Sequence, residues 1–401
     1  MTSELPILIS GAGPTGLTLA LALGKAGYQV EVFEAEAELA DEIRASTIHA
    51  STLEFWDQLG VADRIIAKGK KSSTLKFYER GTEECVASFD YSLIEADTKF
   101  PFRLQCPQNI ITRELLPAAL ETGNVRVHMA HASLRFEDHG ESVTLYVDTP
   151  SGKELVVEGQ YLCACDGPRS PARIQLDIKF PEVSVYEDRF LLIGTDIDLP
   201  AIYPDIGPVA YFYDPEEWII CMELPTMTRT IFRIPPDVDT SDLKSEESCR
   251  RRLEKVVGKD YQYNIKVVNY YSVLQRAAET FRVGRVCLAG DAAHLNNPTG
   301  GQGLNSGVQD AVMLAEKLIS VLQGGADAAL DEYSIARRDY HKNMVQQKAA
   351  KNYSDLVLTE AEDRAKRNEA MKAMATDPAQ ARAYLLRASM LDHRIEQSHA
   401  A

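Results

Sequence analysis

The chain has 401 residues, 45% of them hydrophobic, and a formal charge of −16. This suits one composite unit of two interleaved domains around a sizeable core, and the acidic balance argues against nucleic acid or an anionic membrane as a partner. Seven cysteines form no even framework, the apolar start is too short and uncharged for a secretory signal, and no run approaches the ~18 apolar residues of a membrane span, so a cytoplasmic protein is expected.

Pro6 to Ser10 is a short apolar run that reads as a buried parallel strand. It ends on Gly11-Ala12-Gly13-Pro14-Thr15-Gly16, after which Leu17, Leu19, Ala20, Leu21 and Leu23 read as a helix closed by Gly27. A second strand, Gln29 to Phe33, ends on Glu34 and Ala35. An acidic residue about 20 positions past a glycine turn, in a strand–turn–helix–strand unit, is the layout of a dinucleotide site. Gly11 permits the tight turn, Gly13 the approach of a pyrophosphate, and Gly16 close helix–strand packing. Unpaired N–H groups at the helix start attract phosphate, and Pro14 costs little in the first turn. Glu34 is the acceptor for a ribose diol. A strand-to-helix turn without a ligand is the plainer alternative, and the unit does not separate FAD from NAD.

Further along, Arg44-Ala45-Ser46 precedes a helix with Leu53, Phe55, Trp56 and Leu59, and Gln108 opens the segment Gln108-Asn109-Ile110-Ile111-Thr112. Glu158 to Asp166 (EGQYLCACD) reads as one strand that breaks at Asp166-Gly167. Cys163 and Cys165 lack the redox C-x-x-C spacing and read as small buried residues. Between Phe180 and Tyr271 come short alternating runs: Val209 to Tyr213, Trp218 to Leu224 around the turn Asp214-Pro215-Glu216-Glu217, and Arg229 to Ile234. They read as an antiparallel sheet. Tyr211, Tyr213, Met222 and Arg233 are candidates to face a pocket, although half of an alternating set faces away. Arg285 to Ala289 is another buried strand, stopping at Gly290-Asp291, and a loop rich in glycine leads into a helix from about Leu304 to Leu322. From about Ala326 the sequence is helical and charged, with sparse apolar residues such as Leu356, Leu385, Leu386 and Leu391. A solvated helical hairpin is the plain reading, and a dimer contact the alternative. The scattered histidines suggest no metal.

Gly11 to Gly16, Cys165 to Ser170 and Gly290 to Asn305, in that order and spacing, resemble the FAD-dependent aromatic hydroxylases, the single-component flavoprotein monooxygenases of the para-hydroxybenzoate hydroxylase type. The resemblance covers roughly residues 5 to 340. It implies an α/β fold: a Rossmann-like FAD-binding domain (1–72, 107–176 and 276–325) interleaved with an antiparallel-sheet substrate domain (73–106 and 177–275), and a helical C-terminus (326–401). It implies that Asp291 binds the FAD ribityl chain and that Asp166 lies near the pyrophosphate. Arg44 resembles the family's FAD-contacting arginine, and Gln108 its flavin-side glutamine. Gly301 and Gly303 would let the chain lie against the isoalloxazine, with backbone N–H groups of Gly303, Leu304 and Asn305 toward the flavin carbonyl oxygens. The carbonyl of Pro298 is the family's substrate contact. One departure is Asn297, which stands where relatives commonly have a first proline.

The implied reaction is reduction of FAD by a transiently bound NADH or NADPH, capture of O2 as a flavin C4a-hydroperoxide, and hydroxylation of a small phenolic or heteroaromatic ring. Tyr211 and Tyr213 are the candidates to polarise a phenol, and Arg233 to pair with a carboxylate. His294 reads as structural rather than as a base. The alternatives are an FAD-dependent reductase or halogenase on the same scaffold, and a non-catalytic FAD-binding redox sensor. The protein is expected to be a monomer or homodimer.

Overall fold

Four adjacent parallel strands end at one level, and the sequence motifs hang from those ends. The computed structural model describes residues 5–41, 45–80, 84–297 and 299–392. In it, Ile7–Ser10 pairs in parallel with Val30–Phe33 on one side and with Leu162–Ala164 on the other, and Val286–Leu288 continues the sheet. Ser10, Phe33, Ala164 and Leu288 lie in register. Val125–His128 closes one edge and the short antiparallel strand Arg282–Val283 the other. Leu8, Ile9, Val32, Leu162, Cys163, Val286 and Leu288 are buried, as continuous apolar runs must be when helices cover both faces. The helix Pro14–Lys25 packs between this sheet and the long helix Gln302–Leu322.

The segment EGQYLCACD is two strands rather than one. Glu154–Gly159 belongs to a three-stranded antiparallel sheet with Ala132–Asp138 and Val143–Asp148, while Leu162–Ala164 enters the parallel sheet. The break falls at Gln160-Tyr161, where the Gln160 N–H turns to Pro6 O at 2.9 Å. The polar Gly159-Gln160 step marks the change of partner, within a segment that otherwise reads as one strand.

The second large sheet has eight strands, in the order His294–Leu295, Ile265–Ala277, Glu182–Thr195, Thr228–Ile234, Ile219–Glu223, Val209–Tyr213, Thr74–Glu79, Glu84–Asp90. It is antiparallel except where Val209–Tyr213 runs parallel to Thr74–Glu79. Alternation divides its faces. Phe77, Phe190, Tyr211, Tyr213, Ile220 and Met222 join the main core, whereas Tyr78, Leu191, Phe212, Ile219 and Phe232 form a second core under the helix Glu246–Val257. The mixed α/β architecture with a helical C-terminus is therefore as the resemblance implies.

The C-terminal helices are not a solvated hairpin. Ala361–Thr376 packs on the strand Glu84–Asp90, and Pro378–Ala388 on the short turn Tyr91–Ile94. Ala381, Leu385, Leu386 and Leu391 are buried, and Tyr384 stacks on Phe89 with centroids 4.3 Å apart. Arg382 grips Asp97, and Arg367 reaches Glu79 at 2.9 Å. Among the described residues, no helix is long and apolar enough to cross a membrane, and no group of His, Cys, Asp and Glu is arranged for a metal. All seven cysteines are unpaired.

Candidate active site

Glycines lock the three motifs together at the strand ends. At Gly11, with φ +99°, a Cβ would collide with the Cys165 carbonyl and approach Asp166 Cα to 3.2 Å. At Gly290, with φ +63°, it would come within 2.6 Å of Thr15 Oγ1. Thr15 also fills the space beside Gly307, on the long helix. First, second and third motifs thus touch through positions that tolerate no side chain. Over Gly13, Gly167 and Gly303, by contrast, a Cβ would meet nothing within 4 Å. Backbone N–H groups there border open space at the carboxyl ends of the strands, where ligands of open α/β sheets bind.

Glu34 is half-buried, and its carboxylate accepts from Ala12 N at 2.7 Å and Glu36 N at 3.0 Å, tying the second strand to the glycine turn. Ala35, next to it, is exposed. Asp166 has both carboxylate oxygens buried without a hydrogen-bond partner, and burial above all pushes its pKa up to about 6. Ser170, Ala172 and Arg173 lie near enough to pull it partly back without hydrogen-bonding geometry to the carboxylate. Asp291 is exposed on the turn Gly290–Ala292.

That turn is anchored from below. Asp310, fully buried, accepts from Gly290 N at 3.0 Å, from His294 Nε2 at 2.6 Å and from Arg337 Nε at 2.6 Å. Burial alone would raise the Asp310 pKa, but His294 and Arg337 outweigh it and hold the carboxyl below its ordinary value. His294 is therefore occupied with the fold. His341, stacked on it at 3.8 Å, is kept neutral mainly by burial.

The late glycine bend is a second anchor. Gly301, with φ +66°, precedes the helix Gln302–Leu322, and no side chain caps that end. Its first-turn N–H groups, those of Gly303 and Leu304 included, have no intrahelical partner and present the positive end of the helix. A Cβ on Gly301 would strike Thr47 Cβ at 2.8 Å. Asn305 holds this contact with its whole side chain. Its amide donates to Thr47 O at 2.8 Å and Gly301 O at 2.7 Å, and its oxygen accepts from His49 N at 2.9 Å and Thr52 Oγ1 at 2.7 Å. His49 Nε2 donates to Gly300 O at 2.8 Å, and burial above all, with the nearby Arg103 charge, keeps the imidazole neutral. Gln108 opens the helix Gln108–Leu120, with its N–H on Ala45 O at 2.9 Å. Arg44 and Pro298 lie outside the described residues.

The aromatic face of the eight-stranded sheet meets this bend. Met222 Sδ lies 3.8 Å from Ser46 Oγ and 3.9 Å from Thr47 Oγ1. Phe77 stacks with Tyr211 at 5.2 Å and with Tyr213 at 5.7 Å, and the Arg367 guanidinium sits 3.5 Å over the Tyr213 ring. Burial drives the Tyr213 phenol far above its ordinary pKa, so it stays neutral. Arg233 is half-buried at the end of its strand, its Nη1 donating to Glu216 O at 3.2 Å.

Sequence reading passed over Arg103 and Gln105. Both sit on the strand Arg103–Gln105, which pairs with Thr47–Ile48 and Lys70–Ser72. Arg103 is 4% exposed, and its Nε and Nη1 have no acceptor. Burial opposes its charge, but the phenols of Tyr91, Tyr211 and Tyr384 beside it outweigh that and hold it protonated. Gln105 accepts from Thr47 Oγ1 at 3.2 Å, while its Nε2 has no acceptor. An arginine in a three-residue strand between a phenylalanine and a leucine carries no motif, and only the fold brings it to the tyrosines.

A family model described as an FAD binding domain matches residues 4–348. Para-nitrophenol 4-monooxygenase from Pseudomonas sp. (strain WBC-3) is 31% identical over 392 residues, covering 97% of this chain and 96% of the relative. The 12-dehydrotetracycline 5-monooxygenase/anhydrotetracycline 6-monooxygenase of Streptomyces rimosus is 35% identical over 345 residues, covering 83% of this chain and 66% of the relative. Among solved structures, p-nitrophenol 4-monooxygenase PnpA from Pseudomonas putida DLL-E4 superposes with a TM-score of 0.91 at 28% identity, covering 98% of this chain and 99% of that one. The flavin-dependent monooxygenase PieE, solved with FAD and substrate, gives 0.81 at 25% identity, covering 98% and 72%.

Proposed function

Because the chain belongs to the FAD binding domain family and is an FAD-dependent aromatic monooxygenase, we propose that it spends NADH or NADPH and O2 to hydroxylate a small phenol or heteroaromatic ring. The observation that carries this reading is the apposition of the aromatic sheet face to the late glycine bend through Met222, Thr47 and Gly301. A ring held against Tyr211 and Tyr213 would lie between that face and the helix start at Gln302. Similarity along nearly the whole length of para-nitrophenol 4-monooxygenase favours a substrate of one ring. The reductase and halogenase alternatives have no feature in their favour.

The residues fit FAD. Gly13 and the first turn of Pro14–Lys25 would take the pyrophosphate, Glu34 the adenosine ribose, and Asp291 the ribityl chain. Asp166, whose buried carboxylate lacks a partner, would approach the same diphosphate end. Gly301, Gly303, Leu304 and Asn305 would border the isoalloxazine, where the helix start favours negative charge. When bound, the group would supply the activation of O2, with electrons drawn from NADH or NADPH. The protein's own part is to orient and to exclude water. Tyr211 and Tyr213 line the aromatic face, the Pro378–Ala388 helix packs against that same face through Tyr384 on Phe89, and Arg367 covers Tyr213. Unpaired cysteines fit a cytoplasmic setting, and either a monomer or a homodimer would serve this site.

The test is direct. Purified protein should hold FAD, and one phenol from a panel should accelerate oxidation of NADH or NADPH with formation of a hydroxylated product. If FAD is bound and every phenol leaves both rates unchanged, the proposed substrate class is wrong.

A further inference from the structure

Resting on that reading, we propose that Arg103 selects the substrate by a negatively polarised, two-oxygen substituent on the ring, a nitro or carboxylate group. Arg103 is more than nine-tenths buried, yet two of its nitrogens donate to nothing. The groups bearing most strongly on it are phenols, and none is a carboxylate. Its basic neighbours supply no counter-charge: His49 is neutral, and Lys348, itself repelled by Arg103, draws on Asp392 at 3.6 Å. Burying a guanidinium without a counter-charge is unfavourable, and a partner arriving from outside would offset that.

The surroundings say what that partner is. Gln105 shares the face of Arg103 two residues along the strand, and its Nε2 also lacks an acceptor. Tyr91 Oη is buried beside Arg103. Guanidinium, amide and hydroxyl together offer several N–H and O–H donors and a full positive charge. Such a set suits oxygens that accept and carry negative charge, and a planar group most of all. Tyr211 belongs at once to this donor set and to the stack with Phe77, so a ring lying on the aromatics would carry its oxygen substituent toward Arg103. Arg233, the arginine singled out from sequence, is turned instead to the carbonyl of Glu216.

FAD-loaded protein would be titrated with 4-nitrophenol, 4-hydroxybenzoate and 4-ethylphenol, reading the perturbation of the flavin absorbance. Wild type should bind the nitro or the carboxylate compound more tightly than 4-ethylphenol, and the better of the two identifies the group. Arg103→Met should weaken that compound by at least about 30-fold while changing 4-ethylphenol by less than about 3-fold, and Arg103→Lys should keep part of the preference. Equal weakening of all three ligands, or an unchanged ratio, would overturn the proposal and leave Arg103 a core residue. If Arg103→Met does not retain FAD, the Lys variant decides: a reduced preference supports the assignment, and a preference equal to wild type or equal losses for all ligands overturn it. Should none of the compounds, nor any other phenol, perturb the wild-type flavin, the aromatic reading itself fails and this proposal with it.

Discussion

Asp166 and Asp310 are two buried aspartates with opposite electrostatic fates. Asp310 has His294, Arg337 and the Gly290 N–H, so its folded pKa is depressed and it stabilises the fold at neutral pH. That contribution is lost as pH falls through the folded value. Arg337→Met should leave Asp310 charged and half-partnered, lowering stability by about 3–5 kcal/mol, visible as a large drop in Tm near neutral pH that narrows in acid. An unchanged Tm would show the pair to be dispensable. Asp166 runs the other way. Its folded pKa, about 6, lies above the unfolded value of about 3.9, so folding favours the proton and stability is shed as pH rises between them. In FAD-free protein, Asp166→Asn should therefore raise Tm at about pH 8, by up to about 3 kcal/mol in stability, with the gain shrinking toward about pH 5. The same variant should bind FAD more weakly, because the carboxylate is proposed to serve the cofactor. A variant less stable than wild type at about pH 8 would contradict this account of the charge. The Asp-Gly break at Asp166 was visible in the sequence, but the cost of burying the carboxylate was not, since burial is a property of the fold.

At the scale of elements, the strands and the glycine turns were the most readable parts. Apolar runs ending on Gly11, Asp166 and Gly290 are short, sharply punctuated and buried on both faces, and they share one register level. Gly301→Ala should test the turn chemistry: with φ +66° and Thr47 Cβ in the way, it should cost about 1–3 kcal/mol at the bend, read as weaker FAD retention, whereas Gly303→Ala, with open space around it, should hold its fold and reveal only what the cofactor itself excludes. Equal stability of the FAD-free Gly301→Ala and wild-type proteins would show that the bend is not strained. The C-terminal helices were misread because their partners are remote. Leu385 and Leu386 look sparse among Ala and Arg, and nothing local announces that Tyr384 meets Phe89 or that Arg382 meets Asp97, 285 positions away. Packed on the aromatic face, with Arg367 over Tyr213 and Tyr384 on Phe89, these helices should help to exclude water. Tyr384→Ala should raise the share of NADH or NADPH oxidation that yields hydrogen peroxide instead of product. An unchanged peroxide yield would mean that this helix packs the core without guarding the site.

The whole molecule is two sheets sewn through one another. Chain segments around 7–33, 125–128, 162–164 and 282–288 build one, while 74–90, 182–234, 265–277 and 294–295 build the other. That weave explains why fixed motifs revealed the cofactor end while the substrate end stayed vague. Phosphate-binding turns demand glycine at set spacings, whatever the substrate. A substrate pocket demands only suitable side chains on whichever elements arrive there, and here Arg103, Tyr91, Tyr211 and Tyr384 come from four separate stretches. The same weave brings the late glycine bend, the aromatic sheet face and the C-terminal helices into contact. The most direct measurement follows the oxygen: FAD-loaded protein, NADH or NADPH and a turned-over phenol under isotopically labelled O2. One labelled oxygen atom per product molecule is the expected result. A product whose new oxygen is unlabelled, or a reduced ring formed equally well without O2, would contradict it.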